Sequence, residues 1–213
     1  MNLFGKPIEA YTEEEIAEIN RRAAEMTEAL EQRKKTAAFY ASGINEDNIH
    51  ASFDCFKTGS EEQSKLYEAG KMMVNVQNLK VLVLCGKNGT GKTFTAACCL
   101  RELGGIIRKS MEICSEYADA GRNYAKDTQR IVLQKYVSQP FLVIDEVCRT
   151  AHPAEREVVS YIVSERIEKG KKTIVIGNTT EKELGKVLDA AVMSRMHQAG
   201  LVLELTGADQ RSA

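Results

Sequence analysis

Eight consecutive residues, Gly86-Lys87-Asn88-Gly89-Thr90-Gly91-Lys92-Thr93, bring three glycines, a lysine and a threonine hydroxyl into the spacing G-x-x-x-x-G-K-T. Backbone amides can converge on an anion only where no side chain crowds the curl, and Gly86, Gly89 and Gly91 meet that condition. Lys92 would then reach the β- and γ-phosphates of a nucleotide, and the Thr93 hydroxyl would ligate Mg²⁺. The helix entered at Phe94 would add N-terminal amides and a positive dipole end. Residues 86–94 therefore predict a triphosphate cradle, with ATP and Mg²⁺ as its ligands.

Some fifty residues later the apolar run Phe141-Leu-Val-Ile ends abruptly in Asp145-Glu146. Two acids at the carboxyl end of a buried strand suit two tasks. Asp145 would share the metal with Thr93, and Glu146 would polarise the water that attacks the γ-phosphate. A third apolar run, Thr173–Ile176, passes into Gly177-Asn178, whose amide would orient that water if the strands are neighbours. Read without those neighbours, Asn178 serves equally well as the start of a turn. A small-molecule kinase would also use a phosphate loop, but no Arg-rich lid is visible, and the paired acids favour water as acceptor.

The elements that must position these groups alternate along the chain. β-rich runs at Val81–Cys85, Ile106–Arg108, Phe141–Ile144, Thr173–Ile176 and Leu201–Leu205 are separated by helical patterns at Phe94–Leu103, Met111–Ala120, Thr128–Val137, Pro153–Lys169 and Glu181–Leu188. Such alternation predicts an α/β fold with a five-stranded parallel sheet between helices. Upstream, Thr12-Glu-Glu-Glu15 reads as a capping box. Ile16, Ile19, Ala23, Met26 and Leu30 then draw an apolar stripe along a helix with six Lys/Arg against ten Asp/Glu over residues 1–52. The stripe suits packing on its own domain or docking to a partner. Residues 41–57 have no clear period and read as a linker, giving a helical N-terminal arm over 1–50 and a main domain over 51–213.

Composition bounds the partners. A net charge of -1 over 213 residues leaves no bulk basic charge for nucleic acid. Residues 101–139 hold seven Lys/Arg against five Asp/Glu, with Arg108, Lys109, Arg122 and Lys126 as candidate DNA contacts among what is chiefly a solvated face. Six cysteines without C-x-x-C spacing read as reduced core thiols. No run approaches the length of a membrane span, so a cytoplasmic protein without membrane contact is expected.

With these parts in order, the sequence from Ser52 to Arg211 resembles the DnaC-type replicative-helicase loaders and the related IstB transposition ATPases of the AAA+ class. The likeness is carried by Ser52-Phe53-Asp54, the phosphate loop, Ile144-Asp145-Glu146-Val147, Ser164-Glu165-Arg166, Thr173 to Asn178, and Val192-Met193-Ser194-Arg195-Met196. It implies that Asn178 is a sensor residue and that Arg195 is an arginine finger reaching ATP on a neighbouring subunit, so that self-association completes the site. Arg211 aligns with a second sensor arginine, though Gly207, Ala208 and Gln210 stand where the family has aromatic residues. Only Ser212 and Ala213 follow, which implies no C-terminal lid domain. The resemblance further implies an ATP-dependent helicase loader that meets single-stranded DNA weakly and a replicative helicase through the N-terminal arm. The alternative is a transposition helper acting on duplex DNA with a transposase.

Overall fold

Side chains alternate across a strand, so a strand buried on both faces feeds two cores and reads as a continuous apolar run. Five strands form the sheet: β1 (Val81–Gly86), β2 (Ile106–Lys109), β3 (Phe141–Val147), β4 (Lys172–Gly177) and β5 (Gly200–Leu205), of which β1, β3 and β4 are buried in this way while β2 and β5 are only half-buried. Their order is β2-β3-β4-β1-β5, and every pairing is parallel. Leu82, Leu84, Phe141, Val143, Ile174 and Ile176 enter one core. Val81, Val83, Leu142, Ile144 and Val175 enter the other. The first core is closed by α2 (Glu61–Asn75) and α3 (Lys92–Leu103). The second is closed by α4 (Ser110–Arg122), α5 (Lys126–Val137), α6 (Glu155–Glu168), α7 (Glu181–Val187) and α8 (Ala190–Ala199).

The structure is a computed structural model and describes residues 11–122, 126–148 and 154–207, with 126 and 127 as backbone only. Pro153, expected in the first turn of α6, lies outside these residues. No helical domain follows β5 among them, and no helix among them is long and apolar enough to cross a membrane.

The chain divides into two units, residues 1–37 and 38–213. α1 (Glu13–Ala41), whose last four residues belong to the second unit, begins at the capping box its sequence predicts: the Glu15 amide donates to Thr12 Oγ1 at 3.2 Å and the Thr12 amide to Glu15 Oε2 at 2.9 Å. Ile16, Met26 and Leu30 are exposed on it. The division falls earlier than the expected boundary near residue 50, and the reason is packing. Phe39, Ala51 and Phe53 are buried in the first core of the second unit. The Arg101 guanidinium lies 4.1 Å over the Phe39 ring and donates to the carbonyls of Ile49 (2.7 Å) and Ala51 (2.6 Å). Residues 41–57 are thus a strap of short turns pinned to α3, not an open linker. Two helices lie outside the helical patterns read from the sequence: α2, capped by Ser60 and Gln63, and α8, capped by Asp189.

At the amino edge of the sheet Arg166 is wholly buried. Its Nη1 donates to the carbonyls of Tyr136 (2.9 Å), Val137 (3.0 Å) and Gln139 (2.8 Å), Nη2 to that of Lys172 (2.7 Å), and Nε to Thr173 Oγ1 (2.9 Å). Burial pushes its pKa down to about 10. One side chain thereby joins the end of α5, the approach to β3 and the start of β4.

Candidate functional site

The carboxyl edge of a parallel sheet is where loops from successive strands converge. Strand order puts the ends of β1, β4 and β3 side by side, and Cys85 lies level with Gly177. The loop after β1 is tied to both neighbours. The Gly86 amide donates to Thr179 O at 2.7 Å and the Lys87 amide to Leu205 O at 3.0 Å. Gly86 has φ +114°, and a Cβ there would sit 1.9 Å from Leu205 O, so only glycine admits this approach. Lys92, 4% exposed, donates from Nζ to Gly86 O at 2.9 Å, to Lys87 O, and to Thr90 Oγ1 at 3.4 Å. Its ammonium is thus held on the inner carbonyls of the loop at the head of α3.

Next to it, Thr93 Oγ1 donates to Asp145 Oδ2 at 3.1 Å, and the Glu146 amide donates to Asp145 Oδ1 at 2.7 Å. Burial raises the Asp145 pKa above the ordinary carboxylate value, against the lowering effect of those two donors. Two oxygens sharing one hydrogen, one from a hydroxyl and one from a carboxyl group, are a donor set that suits a hard divalent cation.

The register of β3 against β4 slips by one residue between Ile144 and Val147. At this bulge Glu146 takes φ +56° and Cys148 φ +70°. A left-handed backbone is costly for any residue with a Cβ and clusters at functional sites. Glu146 Oε1 meets Lys109 Nζ at 3.1 Å, and Ser110 Oγ donates to Glu146 O at 3.2 Å. Both partners lie at the junction of β2 and α4.

Residues 88–94, Asp145, Glu146 and Asn178 line one cleft of about 670 Å³. The wall facing them comes from segments to which the sequence assigned no part in the site. Gly43, Ile44, Asn45, Asp47, Asn48 and Phe56 belong to the strap, and Gln63 to α2. Phe56 packs edge-on against Phe94 with centroids 5.4 Å apart. The Ser60-x-x-Gln63 capping signature was a legible pointer to α2.

Arg195 does not line the cleft. It lies on α8, where Nη1 meets Glu168 Oε1 at 3.0 Å. Arg211 lies outside the described residues. Of the candidate DNA contacts, Arg108 holds the carbonyls of Ser42 (2.8 Å) and Ile107 (2.6 Å), Lys109 pairs with Glu146, and Arg122 pairs with Asp119 at 2.9 Å. The side chain of Lys126 lies outside the described residues.

The model of the AAA family, ATPases associated with various cellular activities, matches residues 82–202. The replicative helicase loader DnaC of Escherichia coli (strain K12) is 28% identical over 203 residues, covering 90% of this chain and 82% of the relative. That of Buchnera aphidicola subsp. Acyrthosiphon pisum is 27% identical over 165 residues, 73% of this chain and 66% of the relative. A crystal structure of the DnaC helicase loader superposes with a TM-score of 0.66 at 20% identity, over 76% of this chain and 100% of that one. The replication initiator DnaA bound to AMPPCP and single-stranded DNA gives 0.63 at 18% identity, over 78% and 52%. These structural likenesses speak for the fold.

Proposed function

This chain belongs to the AAA family of ATPases, and from that premise we propose that it is an ATP-dependent loader of a replicative helicase. The observation that carries the chemistry is the Thr93–Asp145 hydrogen bond, which joins the phosphate loop to the acidic end of β3. The curated relatives that match most of the chain are helicase loaders, which supports the role.

In this reading the amides of residues 86–91 cradle the triphosphate, with Lys87, Asn88 and Thr90 shaping the loop and Phe94 beside it. Lys92 shifts from the carbonyls it now holds to the β- and γ-phosphates. Thr93 and Asp145 would hold Mg²⁺, which would offset charge on the phosphate oxygens. Glu146 takes a proton from water as that oxygen bonds to the γ-phosphorus. The bond to the β–γ bridging oxygen breaks, releasing ADP and phosphate. Asn178 orients the water. Arg195 serves the nucleotide of an adjacent copy, and its exposed position away from its own cleft supports that assignment. Arg211 is carried as a candidate contact by resemblance alone.

The N-terminal arm, with its exposed Ile16, Met26 and Leu30, docks the helicase, and single-stranded DNA is a weak second partner. A pull-down of a candidate replicative helicase and a transposase, with ATP and without, tests the assignment. Retention of the helicase that depends on ATP supports it, and retention of the transposase alone sinks it. Deleting residues 1–37 spares buried Phe39 and should abolish helicase retention while leaving nucleotide binding intact. Helicase binding by the truncated chain would refute the role of the arm.

A further inference from the structure

Among the described residues β5 is an edge strand that pairs with β1 alone. Past Leu205 its amides have no sheet partner, and an edge strand ending beside the phosphate loop would fray. Glu62, in the first turn of α2, meets that need. Its Oε1 accepts from the Thr206 amide at 2.9 Å and from Thr206 Oγ1 at 3.1 Å, and its Oε2 accepts from the Gly207 amide at 2.8 Å. A Cβ at Gly207 would sit 2.3 Å from Glu62 Oε2, so a larger residue there would have to displace the carboxylate. Burial pushes the Glu62 carboxyl pKa up, but the three donors more than offset this and leave it below the usual value.

The residue before this clasp is Leu205, whose carbonyl holds the Lys87 amide, and Lys92 rests on the carbonyls of Gly86 and Lys87. We propose that Glu62 is a positioning residue for the phosphate loop. By fixing Thr206 and Gly207 it fixes Leu205 O, and with it the peptide on which the Lys92 ammonium is set. The inference rests on reading the cleft as the ATP site. Glu62 touches neither that loop nor any reacting atom; it acts through the end of β5.

The test uses the full chain and four variants: Glu62→Ala, Glu62→Gln, Thr206→Val and the double variant Glu62→Ala with Thr206→Val. Affinity for a fluorescent ATP analogue, hydrogen exchange at the Lys87 amide, and the thermal midpoint are measured for each. Glu62→Ala should weaken nucleotide binding on the order of fivefold and speed exchange at Lys87, while exchange at Val83 inside β1 stays as in the wild type. Glu62→Gln should fall between, since one oxygen still accepts from Thr206. Thr206→Val should add nothing in the Glu62→Ala background, as expected for residues acting through one contact. Wild-type affinity and Lys87 exchange in Glu62→Ala would overturn the proposal. So would additive losses that track a falling thermal midpoint, which would make Glu62 a stability residue only. If the wild-type chain bound no nucleotide, the ATP reading would fail, and Lys87 exchange would still decide the role of Glu62.

Discussion

Lys92 and Arg166 are both buried cations that hold backbone carbonyls, at opposite edges of one sheet, and they differ in what those carbonyls belong to. The acceptors of Arg166 are the ends of α5, β3 and β4, so the charge is spent on joining elements. Those of Lys92 belong to the loop proposed above to cradle a triphosphate, and in that proposal the charge moves from these carbonyls to the phosphates. Strain follows the same division. Among the described residues the only non-glycine positions with positive φ, Glu146 and Cys148, lie at the carboxyl edge. At one edge every nitrogen of the buried guanidinium has an acceptor; the other edge holds a buried acid with a raised pKa, a bulge and a cleft.

The comparison breaks if a change at the carboxyl edge unfolds the protein or one at the amino edge spares it. Lys92→Ala should lower nucleotide affinity by about 10²-fold or more, as loss of a buried charged contact does. Its thermal midpoint should stay near that of the wild type, and isothermal titration with a melting curve checks both. Arg166→Met should cost about 3–5 kcal/mol in chemical denaturation, because several buried carbonyls lose their donor at about 1–3 kcal/mol each. The folded fraction should bind nucleotide normally. Arg166→Lys should not restore stability, since an ammonium lacks the planar fork that spans these acceptors.

A third test uses pH. Asp145 has a folded pKa above its unfolded value, so the folded state binds more protons between the two, and stability falls as pH rises through that window. Asp145→Asn removes the titration. It should melt higher than the wild type at neutral pH, and the gap should close below the ordinary carboxylate range, while hydrolysis is lost. The smallest effect is expected at Cys148, where φ +70° penalises a side chain. Cys148→Gly should gain up to about 1 kcal/mol, because relief of about 1–2 kcal/mol of left-handed strain is partly offset by glycine's greater chain entropy.

How far these edges were legible depends on whether a residue's task is local. Gly86 to Thr93 and Asp145-Glu146 are contiguous signals attached to apolar strands, so the phosphate loop, the acids and all five strands could be read directly. Asn178 needed the strand order to be placed beside them, and that order is a property of the folded sheet. Arg166 carried only a resemblance, because a charged residue in a helix reads as solvated until its five acceptors, three of them 27 to 30 positions away, are known. Residues 41–57 read as a linker for a related reason. Their hold on α3 comes from Arg101, some fifty positions away, and from Phe39 and Phe53, whose aperiodic spacing shows no face. For α2 the signal is local and legible: the Ser60–Gln63 box stands ahead of Leu66, Ala69, Gly70 and Met73, which share the buried face of the helix.

The central claim is that the carboxyl edge hydrolyses ATP through Glu146, and magnesium-dependent turnover by the wild type and Glu146→Gln tests it most directly. The amide keeps the size of the side chain and removes its proton affinity. Turnover should fall by about 10²–10⁴-fold with nucleotide affinity retained. Equal turnover in the two proteins would contradict the assignment of Glu146 as the base.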